Sequence, residues 1–304
     1  HVICADYAGD GATGFDRRVA GARVGYGHTM QQDACKRRFE AMVLDKLKTM
    51  VQQEYKPLPE PEGRKAEQLP HLLAVEDRSR MLFGRESLLD EMESFCTLEN
   101  PRGLLAVHGK PGCGKSALMA TFIRQLVDKH QQVVYHVVGS SPTSVNLRFM
   151  LLRLCSELAR LLPAGEHFSE ALTTAELSSH WARLARQVFE HSGALVIIVI
   201  DAVNQLRRVG DAWSLRWIPK RMPRGVKVVV SMLEHERNCL QSLRRRLSRL
   251  NRQELIVPHL DQEHCRQLVK SCLAVYHKEL CEDPENAVLG DQMGILLDME
   301  QSGS

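Results

Sequence analysis

The sequence predicts an α/β fold with a doubly wound parallel sheet, and two observations predict it. Between about residues 80 and 260, short apolar runs alternate with stretches of helical periodicity. The run Ala194–Ile200 is almost entirely Val and Ile, which is typical of a central parallel strand buried on both faces. Strands that alternate with helices favour a parallel sheet, because each crossover then contains a helix.

The predicted elements follow one another along the chain. They are a helix around 88–95, a strand at 104–107, a helix from Ser116, a strand at 133–138, helices around 147–162 and 181–189, and strands at 194–200, 226–231 and 254–258. After Asp261 the strand patterns cease. Apolar residues from Cys265 to Tyr276 predict a further helix, and Asp283-Pro284 is typical of the start of another.

This pattern predicts four regions. Residues 1–37 are rich in glycine and charge and are expected to be disordered or unassigned. Residues 38–75 are predicted to hold a helix from Phe39 to near Tyr55 and a proline-rich, extended linker over 56–70. The sheet domain is predicted to span 76–260, and 261–304 to begin a small helical segment that is truncated. Because the chain opens with His1 rather than Met, we expect it to be a fragment.

Composition leaves most function classes open. The formal net charge of +3 is too small to imply a nucleic-acid or membrane partner, and no apolar run approaches the roughly 20 residues that span a bilayer. Nine cysteines form no C-x-x-C pair, so neither a zinc site nor a redox motif is indicated. Reduced thiols in the cytosol are the simplest interpretation, and we expect a cytoplasmic protein.

One motif carries specific chemistry. It matches G-x-x-x-x-G-K-[ST] in full and lies between a predicted strand and a predicted helix; its residues are Gly109, Lys110, Pro111, Gly112, Cys113, Gly114, Lys115 and Ser116, followed by Ala117. Glycines let the backbone approach phosphate oxygens, and the N–H groups at the helix start then face the anion. Lys115 is predicted to reach the β- and γ-phosphates and Ser116 to hold magnesium. The motif therefore predicts a P-loop site for ATP or GTP with Mg²⁺.

A second motif is Val196–Asp201, an apolar strand that ends in a carboxylate. Carboxyl ends of parallel strands open into the crevice where α/β proteins bind ligands. An aspartate at a strand end can also be an ordinary helix N-cap. Beside the phosphate loop, however, Asp201 is predicted to serve the magnesium shell and, with Lys115, the chemistry of phosphoryl transfer.

With these motifs in place, the chain resembles STAND-class P-loop NTPases of the NACHT type. Segments that carry the resemblance are Phe83-Gly84-Arg85-Glu86, His136–Ser141, Leu151–Cys155, Asp201–Leu206 and Pro223–Ser231. The NACHT modules of nephrocystin-like and telomerase-associated multidomain proteins are the most similar. The resemblance implies five strands in the order 5-1-4-3-2 followed by a helical lid. It also implies a nucleotide-controlled switch within a larger protein, with Arg85 as an adenine-side or interdomain contact.

Two departures from the family pattern favour binding over turnover. Asn204 and Gln205 stand where the family usually has acids, and an amide cannot take a proton from an attacking water. Ser231-Met232-Leu233 stands where the family has Thr-Ser-Arg, so no arginine is available there to sense the terminal phosphate. Glu234 and Glu236 follow closely and are candidate substitutes.

These observations favour an ATP/ADP-binding switch with weak hydrolysis that controls a multidomain scaffold, with nucleotide-dependent self-association as an option. Two alternatives stay open: an efficient AAA+-like hydrolase, and a module in which the nucleotide is a structural ligand. Nucleic acid is not an expected partner, because the arginines from Arg244 to Arg252 are typical of a solvated helix face. The three tryptophans are expected in the core or an interface.

Overall fold

The computed structural model describes residues 42–46, 64–97, 99, 102–163, 172–248, 252–283 and 291–301. Its strands are β1 (Arg102–Gly109), β2 (Gln132–Val137), β3 (Val196–Asp201), β4 (Val226–Leu233) and β5 (Arg252–Ile256). Its helices are α1 (Arg64–Arg78), α2 (Glu86–Phe95), α3 (Lys115–Asp128), α4 (Leu147–Arg160), α5 (Thr174–Ser192), α6 (Cys239–Arg246), α7 (Gln262–Ala274) and α8 (Gln292–Gln301). Residues 42–46 are helical and belong to a separate unit, residues 1–60. The predictions for residues 1–37 and for Asp283-Pro284 as a helix start lie wholly or partly outside the described residues.

The five strands form one parallel sheet in the order β2-β3-β4-β1-β5, which confirms the predicted order 5-1-4-3-2. In the registers, Val107 of β1 pairs with Ser231 of β4, and Ile200 of β3 pairs with Val230 of β4. The carboxyl ends of β1, β3 and β4 therefore meet at one edge of the sheet. The motif residues that follow β1 and end β3 lie at that edge.

Helices cover both faces of the sheet. Residues of α4, α5 and α6 form one apolar cluster with one face of the strands, and residues of α1, α2 and α3 form a second cluster with the other. Trp181 and Trp217 are almost fully buried in the first cluster, and the Trp181 indole nitrogen donates to the Trp217 carbonyl at 3.1 Å. The expectation that the tryptophans belong to the core is confirmed for these two residues.

The extended linker predicted for 56–70 is wrong for residues 64–70, which form the first half of α1. Pro70 lies inside this helix and removes one backbone donor from it. The helix persists because its inner side is packed: His71 and Val75 are buried, and α1 lies against α3 and β2. Tertiary packing here outweighs local preference, and residues 64–75 join the same compact unit as the sheet.

The helix predicted after Asp261 is confirmed as α7, and the Asp261 side chain caps it by accepting the His264 N–H at 2.8 Å. Its apolar face is only partly covered. Cys265 and Leu268 are half-buried, whereas Cys272 is exposed. Tyr276, predicted on the same face, lies just beyond the helix and is 72% exposed.

Candidate nucleotide-binding site

The predicted phosphate loop connects β1 directly to α3, as the motif requires. Gly112 and Gly114 have φ angles of +76° and +90°, which only glycine adopts readily. A β-carbon added at either residue would meet nothing within 4 Å, so both glycines border open space. Lys110 and Pro111 are exposed, and Ala117 is half-buried in the first turn of α3. The loop is therefore a glycine-lined cradle at the start of a helix.

The Lys115 side chain lies across this cradle. Its ammonium group donates to the main-chain oxygens of Gly109 at 3.0 Å and Lys110 at 2.6 Å. It also lies 3.4 Å from the Cys113 sulfur. A half-buried ammonium that binds the first carbonyls of the loop is correctly placed to exchange these neutral acceptors for phosphate oxygens, which bind it more strongly.

The base of the loop is packed tightly against the end of β5. A β-carbon on Gly109 would lie 2.5 Å from the Val257 carbonyl oxygen and 2.9 Å from the Cys113 sulfur. The Val257 N–H donates to the His108 carbonyl at 2.8 Å, and Cys113 is buried. Gly109 is thus required for close backbone packing, in contrast to the two glycines that border open space.

Asp201 is buried at the end of β3, and neighbouring groups fix both of its carboxylate oxygens. The Ser231 hydroxyl donates to Oδ1 at 2.5 Å and accepts the Ala202 N–H at 2.7 Å. Ala202 has a φ angle of +60°, so the chain turns sharply after the carboxylate and the serine holds the turn. Ser231, the first residue of the Ser-Met-Leu segment that lacks the family's arginine, therefore positions Asp201.

The second oxygen of Asp201 accepts a hydrogen bond from Arg78, which sequence reasoning missed. Arg78 Nη1 lies 2.9 Å from Asp201 Oδ2, and the two side chains are 34% and 2% exposed. Arg78 is the last residue of α1, 123 positions before Asp201. A local pattern gives no signal for this contact, because helix packing alone brings the two residues together.

Arg85, predicted as an adenine-side or interdomain contact, is buried beneath the loop. Its Nη2 donates to the carbonyl oxygens of Cys113 at 3.1 Å and Pro258 at 2.5 Å. Burial lowers the pKa of Arg85 below its usual range, and the nearby Asp261 is among the groups that oppose this shift. The guanidinium therefore joins the phosphate loop to the chain that leaves β5 toward α7. Its predicted contact with the nucleotide remains a prediction.

Asn204 and Gln205 have different surroundings. Asn204 is buried; its amide donates to Glu236 Oε2 at 3.1 Å, and its Oδ1 accepts the Leu233 N–H at 3.3 Å. Gln205 is exposed, and its Oε1 lies 2.9 Å from the position of a β-carbon on Gly139. Glu236, named above as a candidate acid, is thus brought next to Asn204 at the same edge of the sheet.

These residues offer what a nucleotide phosphate chain and a magnesium ion need. The cradle presents backbone at a helix start, and Lys115 supplies a cation. The Ser116 hydroxyl has no hydrogen-bond partner among the described residues, and Asp201 supplies a carboxylate. Hydroxyl and carboxylate oxygens are the ligands that Mg²⁺ prefers. Since both Asp201 oxygens already accept hydrogen bonds, a metal ion there would compete with Arg78.

Comparison with known proteins agrees with this geometry. Residues 85–232 match the family model described as Nephrocystin 3, N-terminal. The chain is 29% identical to nephrocystin-3 of Mus musculus over 157 residues, covering 49% of this chain and 11% of that protein. It is 26% identical to NACHT and WD repeat domain-containing protein 2 of Mus musculus, covering 55% and 10%. It is 27% identical to telomerase protein component 1 of Rattus norvegicus, covering 65% and 8%.

The resemblance to NACHT modules of nephrocystin-like and telomerase-associated proteins is thereby confirmed, and the chain contains a P-loop module of the nucleotide-binding kind. The chain spans about a tenth of the length of these relatives. Among solved structures, the Aeropyrum pernix ORC1 protein in complex with DNA aligns with a TM-score of 0.42 at 17% identity, over 68% of this chain and 53% of that one. Overlap of this extent carries no conclusion about function. In the described part of the chain, each helix is too short or too polar to cross a membrane.

Proposed function

We propose that this chain is the ATP-binding switch module of a larger protein, with slow hydrolysis and Mg²⁺ as cofactor. One observation carries the proposal. The cradle formed by Gly112 and Gly114 opens toward solvent at the start of α3, and Lys115 lies across it on weak neutral acceptors. Because the lysine of the loop bonds to the loop's own carbonyl oxygens, an anion can take their place and can leave again.

Magnesium would be held by Ser116 and, through the shell of the ion, by Asp201. The ion would neutralise charge on the phosphate chain. Ser231 fixes the orientation of Asp201, so this carboxylate does not need to reorganise when the ion binds. Arg85 ties the loop to the segment before α7, which gives a direct connection between the phosphates and the helices that follow.

Slow hydrolysis is proposed from the groups that surround Asp201. The Asn204 side chain is bonded to Glu236 and to the β4 backbone, and neither amide side chain can take a proton from water. Glu236 is an acid beside this position, and its contact is with the Asn204 amide. General-base catalysis typically contributes 10²–10⁴-fold, so its loss leaves turnover on the order of 10⁻² s⁻¹ or less.

The role in a larger protein is proposed from the relatives, one of which, NACHT and WD repeat domain-containing protein 2, carries a repeat domain in its name. A module that senses nucleotide is useful to such proteins if binding moves one part of the chain against another. α7 is a candidate moving part, because it has no fully buried residue.

Measuring bound nucleotide and its exchange rate tests this proposal against its alternatives. Purified protein would be denatured to identify any nucleotide it retains, and exchange would be followed with a fluorescent ATP analogue. A switch exchanges nucleotide within minutes and hydrolyses slowly. Turnover well above 1 s⁻¹ would instead identify an AAA+-like hydrolase, and nucleotide that never exchanges would identify a structural ligand.

A further inference from the structure

We propose that Arg78 binds the γ-phosphate, the terminal phosphate of ATP, and so distinguishes ATP from ADP. This inference rests on the proposed function and goes beyond it, because it assigns specificity to a residue that precedes the phosphate loop. Arg78 donates from Nη1 to Asp201 Oδ2 at 2.9 Å. It is thus in direct contact with the carboxylate that would serve the magnesium ion.

The position of Arg78 is fixed by the packing of α1. Val75, one turn before it, is 5% exposed in the same apolar cluster as the residues of α3. His71 accepts the Val137 N–H at 3.1 Å just where β2 ends. The end of α1 is therefore anchored to both the phosphate-loop helix and the sheet, while the arginine itself remains 34% exposed at the edge of the site.

Other arginines around Asp201 are engaged by protein groups. Arg85 binds two carbonyl oxygens beneath the loop. Arg237 binds the carbonyl oxygens of Asn204 and Leu206 and pairs with Glu236. The guanidinium of Arg78 differs from both, because Asp201 is the one hydrogen-bonded partner that the described residues give it, and its other N–H donors remain available.

The contact between Arg78 and Asp201 is also one that nucleotide binding changes. Asp201 Oδ1 is already occupied by Ser231, so a magnesium ion at this carboxylate would compete with Arg78 for Oδ2. A displaced guanidinium turns to the nearest anion, and a planar fork of donors suits phosphate oxygens. ATP would offer its γ-phosphate to the displaced guanidinium, whereas ADP has no γ-phosphate. The same movement would change the end of α1 in response to the nucleotide.

The test compares dissociation constants for Mg-ATP and Mg-ADP by calorimetry in wild type, Arg78→Ala and Arg78→Lys. Loss of charge-assisted hydrogen bonds to the terminal phosphate should weaken ATP binding about tenfold or more and leave ADP binding within about twofold. Arg78→Lys should recover part of the preference for ATP. Arg80→Ala is the matched control, because Arg80 is exposed and pairs only with the exposed Asp77 among the described residues.

Each outcome decides the inference. Equal losses for ATP and ADP in both Arg78 variants would overturn it and leave a structural role for the arginine. A gain in ATP affinity would also overturn it, because Arg78 would then merely block the metal site. Wild-type protein that binds neither nucleotide would overturn the proposed function and this inference together. Nucleotide binding that persists unchanged in Lys115→Ala would do the same, because it would not depend on the phosphate loop. Thermal unfolding without nucleotide confirms that each variant is folded.

Discussion

The imidazole of His264 lies directly against the backbone of Gly84. A β-carbon on Gly84 would be 2.6 Å from the ring, and Gly84 has a φ angle of +59°. His264 is in the first turn of α7, and its Nδ1 lies 2.7 Å from Asp261 Oδ1. The residue before Arg85 is therefore one place where the chain ahead of the phosphate loop touches the helix that follows the sheet.

Gly84→Ala should destabilise the protein through this contact. A left-handed backbone costs alanine about 1–2 kcal/mol, and the collision with His264 adds about 1–3 kcal/mol. Gly193→Ala is the control, because Gly193 has a φ of +70° and open space around its α-carbon. Chemical denaturation should show the larger loss at Gly84, and adding His264→Ala should reduce it to the Gly193 value. Equal losses in the two single variants would show that the contact is unimportant.

Lys115→Ala should abolish stabilisation by Mg-ATP. With ligand about a thousandfold above its dissociation constant, linkage predicts about 4 kcal/mol in the wild type and none in the variant. Lys129→Ala, an exposed lysine in the C-cap position of α3, should respond like the wild type. Thermal shifts with and without Mg-ATP measure this. An equal response in Lys115→Ala would contradict the phosphate-loop assignment.

Acids introduced at the two amide positions after Asp201 should act differently, one on the rate of hydrolysis and the other on the stability of the fold. Gln205 is exposed, so Gln205→Glu should be tolerated and should raise ATP hydrolysis, because a carboxylate can take a proton from the attacking water. Asn204→Asp removes the amide that donates to Glu236 at 3.1 Å and places two carboxylates together, so it should lower the unfolding free energy by about 1–3 kcal/mol. Phosphate release and urea unfolding measure the two effects. Unchanged stability in Asn204→Asp would show that the Glu236 contact does not matter.

Lowering the pH should lower the free energy of unfolding through His71 of α1 and His136 of β2, whose ring centroids lie 4.3 Å apart. Burial lowers the pKa of His71 from 6.5 to about 2 and that of His136 to about 3. The folded state therefore binds fewer protons than the unfolded state between about pH 3 and 6.5, and stability falls as the pH falls below 6.5.

For His71 alone, this linkage predicts a loss of about 2 kcal/mol between pH 7.5 and pH 5. His71→Asn keeps an acceptor oxygen for the Val137 N–H but does not titrate. Urea unfolding at the two pH values should show a smaller loss in this variant than in the wild type. The same loss in both proteins would place the acid sensitivity elsewhere.

The elements that the sequence predicts well are those whose local chemistry determines them. Runs of Val and Ile predict β3 and β4, and the phosphate motif predicts the junction between β1 and α3 because each of its glycines has a backbone role. The strand order came from the family resemblance. β5 was predicted at 254–258 and lies at Arg252–Ile256, since its alternation of polar and apolar residues gives a weaker signal at an edge of the sheet.

The sequence does not predict contacts between residues that are far apart along the chain and are brought together by packing. The prolines up to Pro70 predict an extended linker, yet α1 continues through Pro70 because His71 and Val75 are buried. The pairing of Arg78 with Asp201 depends on where that helix is docked, and no motif encodes this. Likewise, Arg85 was predicted from its motif, but its acceptor at Pro258 lies 173 residues away.

The registers of β1 have a consequence for dissecting this protein into fragments. β1 pairs with β4 on one side and β5 on the other, so a fragment trimmed to residues 85–232 would lose β5 and leave β1 as a bare edge strand. That edge includes Leu104, Leu105 and Val107, and open apolar edges template aggregation. The stretch that matches the family model is therefore shorter than the stretch that completes the sheet and its helices, and expression should begin before residue 64 and extend beyond β5.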